Sequence, residues 1–173
     1  MKKIFKIQNL IFIILIMAAP LLAIPYTDNG DGTVYDGRTG LVWQKCSMGQ
    51  NNDTTCSGTA TTATWAIALT YCNDLNSYNA VGFASHTTWR LPNINELKSI
   101  VDRNISPNPS AINNTIFPNT LANIYWSSST YVPSKGIAWS VAFNDDGAYG
   151  AGSVTNYFGK AASYYVRCVA SGP

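Results

Sequence analysis

The groups in this chain that could do chemistry are few and scattered. Arg90, Glu96 and Asp102 gather around Pro92, which would bring a guanidinium and two carboxylates to one turn. An enzyme of the hydrolase type also needs an activated nucleophile, a base and a group that orients the base. The single histidine, His86, stands in a Ser/Thr-rich turn, and no motif supplies those three roles. Glu96 has a simpler use, since three residues after Asn93 it can close a helix cap or pair with Arg90. Asp28, Asp31 and Asp36 form an acidic cluster. The EF-hand pattern, however, needs further oxygen ligands and a closing bidentate Glu, which are absent. Asn29-Gly30 and Asp31-Gly32 are ordinary turn chemistry. The chain is therefore expected to be no enzyme and to hold neither a metal nor a cofactor. What remains is a set suited to contact: Trp126, Tyr131, Trp139, Asn144, Asp145 and Tyr149. Aromatic faces stack on sugar rings, and Asn and Asp accept hydrogen bonds from hydroxyls. Trp126 and Trp139 also have a plain reading as core residues.

The elements that would position these residues can be read in part. Pro92 disfavours the α region at Leu91, so Trp89 to Leu91 is expected to be extended. Asn93 is an N-cap with Glu96 as its capping-box partner, and Leu97, Ile100 and Val101, with Ile94, form the apolar stripe of a helix. Trp89, Arg90, Pro92 and Glu96 then belong to architecture. An earlier helix is predicted over Thr64–Asn76, with Trp65, Ala68, Leu69, Cys72 and Leu75 on one face. Thr33–Asp36 and Leu41–Gln44 read as an N-terminal hairpin. Residues 103–123 read as a long irregular loop pinned by Ile105, Ile112, Ile116 and Phe117. Strands are predicted over Ile124–Tyr131, Ile137–Phe143 and Tyr164–Val169, the second closing a hairpin through Asn144-Asp145-Asp146-Gly147. In that strand Ile137, Trp139, Val141 and Phe143 share one face, an alternation that favours burial of Trp139. The result is an α+β fold, two helices on a mainly antiparallel sheet with long loops.

Lys2, Lys3 and Lys6 precede an apolar run from Leu10 to Ala23, the pattern of a secretory signal peptide over residues 1–23. The run is short for a membrane span and Pro20 interrupts it, so no membrane span is expected after cleavage. Residues 24–173 suffice for one domain. Without the three leader lysines the formal charge of +2 becomes −1, which removes the electrostatic case for nucleic acid. The expected location is outside the cytoplasm, secreted or periplasmic. There, four cysteines imply two disulfides, and their spacings fit no zinc pattern. Cys72 lies on a buried helical stripe and calls for a buried partner such as Cys168, which leaves Cys46 for Cys56.

Several motifs stand in order: Asp28-Asn29-Gly30-Asp31-Gly32-Thr33-Val34-Tyr35-Asp36, Thr39-Gly40-Leu41-Val42-Trp43, Trp65 with Cys72, Trp89-Arg90-Leu91-Pro92 with Glu96-Leu97, Tyr125-Trp126-Ser127-Ser128, Ala138-Trp139 and Val166-Arg167-Cys168-Val169. Together they resemble the Lcl C-terminal domain family, named for the C-terminal domain of a Legionella collagen-like adhesin, over roughly Tyr26 to Val169. The resemblance implies a C-type-lectin-like fold related to formylglycine-generating enzymes, with a bridge from the first helix to the last strand. It also implies an adhesion function: the naming adhesin binds sulfated glycosaminoglycans as a trimer. The partners expected here are extracellular or envelope glycans, or a surface protein, and a trimer is one oligomeric state to test. The same fold could serve an envelope assembly without binding glycans. Phe143-Asn144-Asp145 and Phe117-Pro118-Asn119 echo the signatures of calcium-dependent lectins. Phe117 replaces the ligating Glu, though, and the second motif precedes the Tyr125-Trp126 strand where the lectin order has it after. An oxidase of the formylglycine-generating type would need two active-site cysteines near the C-terminus, and Cys168 has no second cysteine nearby.

Overall fold

The computed structural model describes residues 25–102, 110–144 and 153–172. The expected signal peptide and two of the expected contact residues, Asp145 and Tyr149, lie outside the described residues, as does most of the expected Asn144–Gly147 turn. The strands are β1 (Tyr26–Asp28), β2 (Thr33–Asp36), β3 (Leu41–Gln44), β4 (Thr62–Ala63), β5 (Ile124–Thr130), β6 (Ile137–Ala142), β7 (Ser153–Gly159), β8 (Tyr164–Tyr165) and β9 (Val169–Ser171). Two α-helices, α1 (Trp65–Asp74) and α2 (Ile94–Ser99), fall between β4 and β5. The fold is α+β. One sheet has the order β1-β2-β3-β9 and is antiparallel throughout. The other has the order β4-β8-β5-β6-β7 and is antiparallel except where β5 meets β8.

Pairing of β3 with β9 brings the first and last parts of the domain together, with Val42 opposite Ala170 and Trp43 opposite Val169. Because side chains alternate along a strand, these two pairs feed different cores. Val42 and Ala170 join Trp89, Leu91, Trp126 and the α1 residues Ala68 and Cys72. Trp43 and Val169 join Leu97, Ile100, Ile112, Phe117, Tyr125 and Val141 on the α2 side. Each fully buried large apolar side chain contributes about 1.5–3 kcal/mol.

Helix α1 is shorter than the sequence suggests, and Thr64 at its N-cap makes no side-chain capping bond. The second helix has the expected cap. Asn93 Oδ1 accepts from the Asn95 and Glu96 amides at 2.9 Å each, and Glu96 Oε2 accepts from the Asn93 amide at 2.8 Å. Trp89 is pinned before it, its indole donating to the Phe83 carbonyl at 2.9 Å. Arg90 makes an isolated antiparallel bridge to Val169, which ties this extended segment to the last strand. Disulfides join Cys46 to Cys56 and Cys72 to Cys168.

One expected strand is two. Tyr164–Val169 divides into β8 in the second sheet and β9 in the first, and Val166–Cys168 carries the chain between them. The irregular segment is held by other bonds: the Met48 amide donates to the Val166 carbonyl and the Gln44 amide to the Cys168 carbonyl, each at 3.0 Å.

Candidate functional site

A bulge in β5 creates the aromatic surface. Trp126 lies opposite Ser140 and Thr130 opposite Ala138, so Ser127, Ser128 and Ser129 face the single residue Trp139. Extra residues in one strand disrupt the ladder and bend it. The three serines bond elsewhere. Ser127 Oγ donates to the Trp139 carbonyl at 2.7 Å, the Ser128 amide to the Pro92 carbonyl at 2.8 Å, and Ser129 Oγ accepts from the Ile94 amide at 3.1 Å. A second irregularity, between Ala138 and Ser140, shifts the β6–β7 register at the same residue. Trp139 therefore lacks a regular neighbour on either strand and stays partly exposed, whereas Val141 and Phe143 further along are fully buried. This departs from the burial that simple alternation suggests.

Tyr131 covers one edge of that indole, with ring centroids 5.5 Å apart and planes at 80°. Its amide donates to the Ile137 carbonyl at 3.0 Å, fixing the end of the hairpin. The turn between them carries Val132, which is 89% exposed. Tyr131 and Trp139 thus form a partly exposed, edge-to-face pair on a rigid strand pair.

The other proposed contact residues are placed differently. Trp126 is fully buried, donates to the Ala63 carbonyl at 2.9 Å and packs edge-on against Tyr164. It belongs to the core and cannot present a ring to a ligand. Asn144 is half-buried just after β6. Trp65, a further aromatic near this end, has its ring covered by Lys160, whose Nζ stands 3.8 Å from the ring centroid and donates to Thr130 Oγ1 at 2.8 Å.

Arg90 and Glu96 are joined by two bonds of 2.7 Å. Burial works against the Glu96 charge, but the Arg90 guanidinium and the Asn93 amide outweigh it and hold the carboxyl below its ordinary value. Both groups are spent on the turn. Among the acidic residues, Asp28 accepts from Lys45 and the Gly30 amide, Asp31 from the Thr33 amide and hydroxyl, and Asp36 from Arg38. They do not converge on a common point: among the described residues no three His, Cys, Asp or Glu side chains stand together as metal ligands.

The Lcl C-terminal domain model matches residues 32–170. The chain belongs to the Lcl C-terminal domain family. The matched region runs from the turn before β2 into β9, so it leaves out β1 but takes in the rest of the first sheet up to Ala170, the whole second sheet, both disulfides and the Tyr131–Trp139 pair. No curated protein and no solved structure matches the chain. No helix among the described residues is long and apolar enough to cross a membrane.

In this Lcl C-terminal domain the sequence marks Arg167 within the Val166-Arg167-Cys168-Val169 motif but assigns it no role. Arg167 is fully buried. Its Nη1 donates to the Gln44 carbonyl at 3.0 Å and to the Lys45 carbonyl, and its Nη2 to Thr120 Oγ1 at 2.7 Å and Ser47 Oγ at 3.3 Å. The guanidinium also lies 4.9 Å from the Phe117 ring centroid. Burial pushes its pKa down, opposed by the neighbouring Tyr125 hydroxyl. The signal available in the sequence is an arginine between Val166 and Cys168 in an otherwise apolar terminal run.

Proposed function

We propose that this Lcl C-terminal domain is an exported, non-catalytic binding module that meets a glycan, of polysaccharide or glycosaminoglycan type, at the Tyr131–Trp139 pair. The observation that carries the reading is that pair itself: two aromatic rings held partly exposed by a strand bulge. Rings of this kind offer a flat apolar face with polar edges, which suits the alternating CH and OH faces of a sugar. Family membership supports an adhesin-like role. A C-type-lectin-like arrangement is supported by the pairing of β3 with β9 and by the bridge from α1 to the segment before β9. The absence of catalysis is supported by Cys168 lying in a disulfide and by Glu96 being bound to Arg90 and the helix cap.

A glycan array, probed with and without calcium and at low and high salt, tests the proposal. Binding that survives a chelator is expected, and salt sensitivity would separate sulfated from neutral ligands. Silence across the array removes the glycan reading. One observation favours a second reading, a structural part of a surface assembly with a protein partner: Val132 is 89% exposed at the tip of the same hairpin. Binding lost on Val132→Ser with the array silent would select that alternative.

A further inference from the structure

We propose a second, independent binding site for a single neutral sugar or cyclic polyol, in the cleft between the β1–β2 turn and the Cys46–Cys56 loop. The cleft is about 290 Å³ and is lined by Asp28, Gly30, Gly32 and Lys45 on one side and Asn52, Asp53 and Thr54 on the other. Ligand pockets span roughly 300–1,000 Å³, so this one has room for one ring and not for a chain.

Its chemistry selects the ligand. The Lys45 side chain is 7% exposed, and its ammonium donates to Asp28 Oδ2 at 2.6 Å. An ammonium carries three donors. Asp28 is its hydrogen-bond partner among the described residues, which leaves donor capacity on an ammonium whose residue lines the cleft. An ammonium beside a carboxylate is what adjacent hydroxyls require, since each can accept from the one and donate to the other. Asn52 and Thr54 line the same cleft, and among the described residues the loop's bonds to the Asp53 side chain come from Thr55 and Ser57 rather than from these two.

The opposite wall is held in shape before any ligand arrives. Asp53 accepts from the amides of Thr55 and Ser57 at 3.0 Å each and from both their hydroxyls, the Ser57 bonds holding its carboxyl well below the ordinary range. The Cys46–Cys56 disulfide closes the loop beneath it. At Gly32, with φ +90°, a Cβ would stand 3.0 Å from Phe83 Cζ and 3.2 Å from Asn52 Cβ, so glycine lets the two walls approach. Pre-ordering of this kind lowers the entropy cost of binding.

Two carboxylates against one ammonium leave the lining net negative, which disfavours phosphate, sulfate and uronate. The Lys45 ammonium on Asp28 repels a divalent cation. Neutral polyols remain. The site stands whether or not Tyr131 and Trp139 bind a glycan.

The test is amide chemical-shift mapping on the ¹⁵N-labelled protein as purified after export. It is titrated with methyl α-mannopyranoside, methyl β-galactopyranoside and myo-inositol, with glucuronate and glucosamine as charged arms. At least one neutral probe is expected to give saturable shifts at Gly30, Gly32, Asn52 and Thr54, with glucuronate at least about tenfold weaker. Asn52→Ala with Thr54→Ala should weaken binding about tenfold with melting unchanged. Absence of saturable shifts at those amides up to about 100 mM of every neutral probe would overturn the proposal. Shifts confined to Tyr131 and Trp139, or binding of the charged sugars alone, would overturn it equally.

Discussion

Replacing Arg167 by Met tests how the domain is held together. The thioether fills much of the same space but donates nothing. Ser47 Oγ would keep its 2.8 Å bond with the Tyr125 hydroxyl, and Thr120 Oγ1 its 2.7 Å bond to the Phe117 carbonyl. The Gln44 and Lys45 carbonyls would each lose a donor. A stranded buried acceptor costs about 1–3 kcal/mol, so the two together cost about 2–6 kcal/mol. Removing a buried cation offsets part of this, because its desolvation cost disappears. The expected net loss is about 2–4 kcal/mol, a large share of the about 5–15 kcal/mol available to a domain. In urea melts with the disulfides intact, a mid-range slope of about 2 kcal/mol/M turns this into a midpoint shift of about 1–2 M. Arg167→Lys should lose as much, since an ammonium keeps the charge but cannot reproduce the fork geometry that spans four acceptors. A Met variant within about 1 kcal/mol of the parent, or full rescue by Lys, would refute the reasoning.

Glu96→Ala should cost about 0.5–2 kcal/mol by removing the cap and the Arg90 pair, with Glu96→Gln intermediate. Because the folded carboxyl is held below its ordinary value, its contribution is present above about pH 4.3 and is lost as the pH falls through the folded value. Parent and Gln variant should therefore converge in urea melts at acid pH. Replacing Cys46 and Cys56 by Ser opens a loop with a sequence separation of 10, and replacing Cys72 and Cys168 one of 96. The chain-entropy model gives about 3 and about 4.7 kcal/mol, so thermal melts should rank the second pair as the more damaging. Gly82→Ala should destabilise by more than about 1 kcal/mol, because φ is +84° and the new Cβ would meet the His86 carbonyl oxygen at 2.0 Å. Gly136→Ala, which meets nothing within 4 Å, should stay within about 0.5 kcal/mol in the same assay.

What the sequence makes legible here is what local chemistry determines. The α2 cap follows from Asn93 and Glu96 three residues apart, and the extended Trp89–Leu91 segment from Pro92. The Cys72–Cys168 bridge follows from Cys72 lying on a buried helical face. The rest depends on partners distant in the chain. Period-two alternation cannot encode the β5 bulge, so it favours burial of a Trp139 that is left partly exposed. Tyr164–Val169 reads as one strand because it is largely apolar. Arg167 breaks it by turning into a network whose acceptors lie on segments near residues 45 and 120. Strand β7, which is uncharged and lacks strict alternation, gives no comparable signal. Trp126 and Trp139 lie on adjacent strands with similar local sequence, yet only tertiary packing separates the core ring from the surface one.

The most direct test of the binding account compares the parent with Tyr131→Ala and Trp139→Ala on the strongest ligand from the glycan array, by equilibrium titration alongside thermal melts. Each substitution should weaken binding at least about tenfold, equivalent to about 1.4 kcal/mol of ring contact, while the melting temperature stays near that of the parent. Unchanged affinity in both variants would contradict the assignment of this pair as the ligand platform.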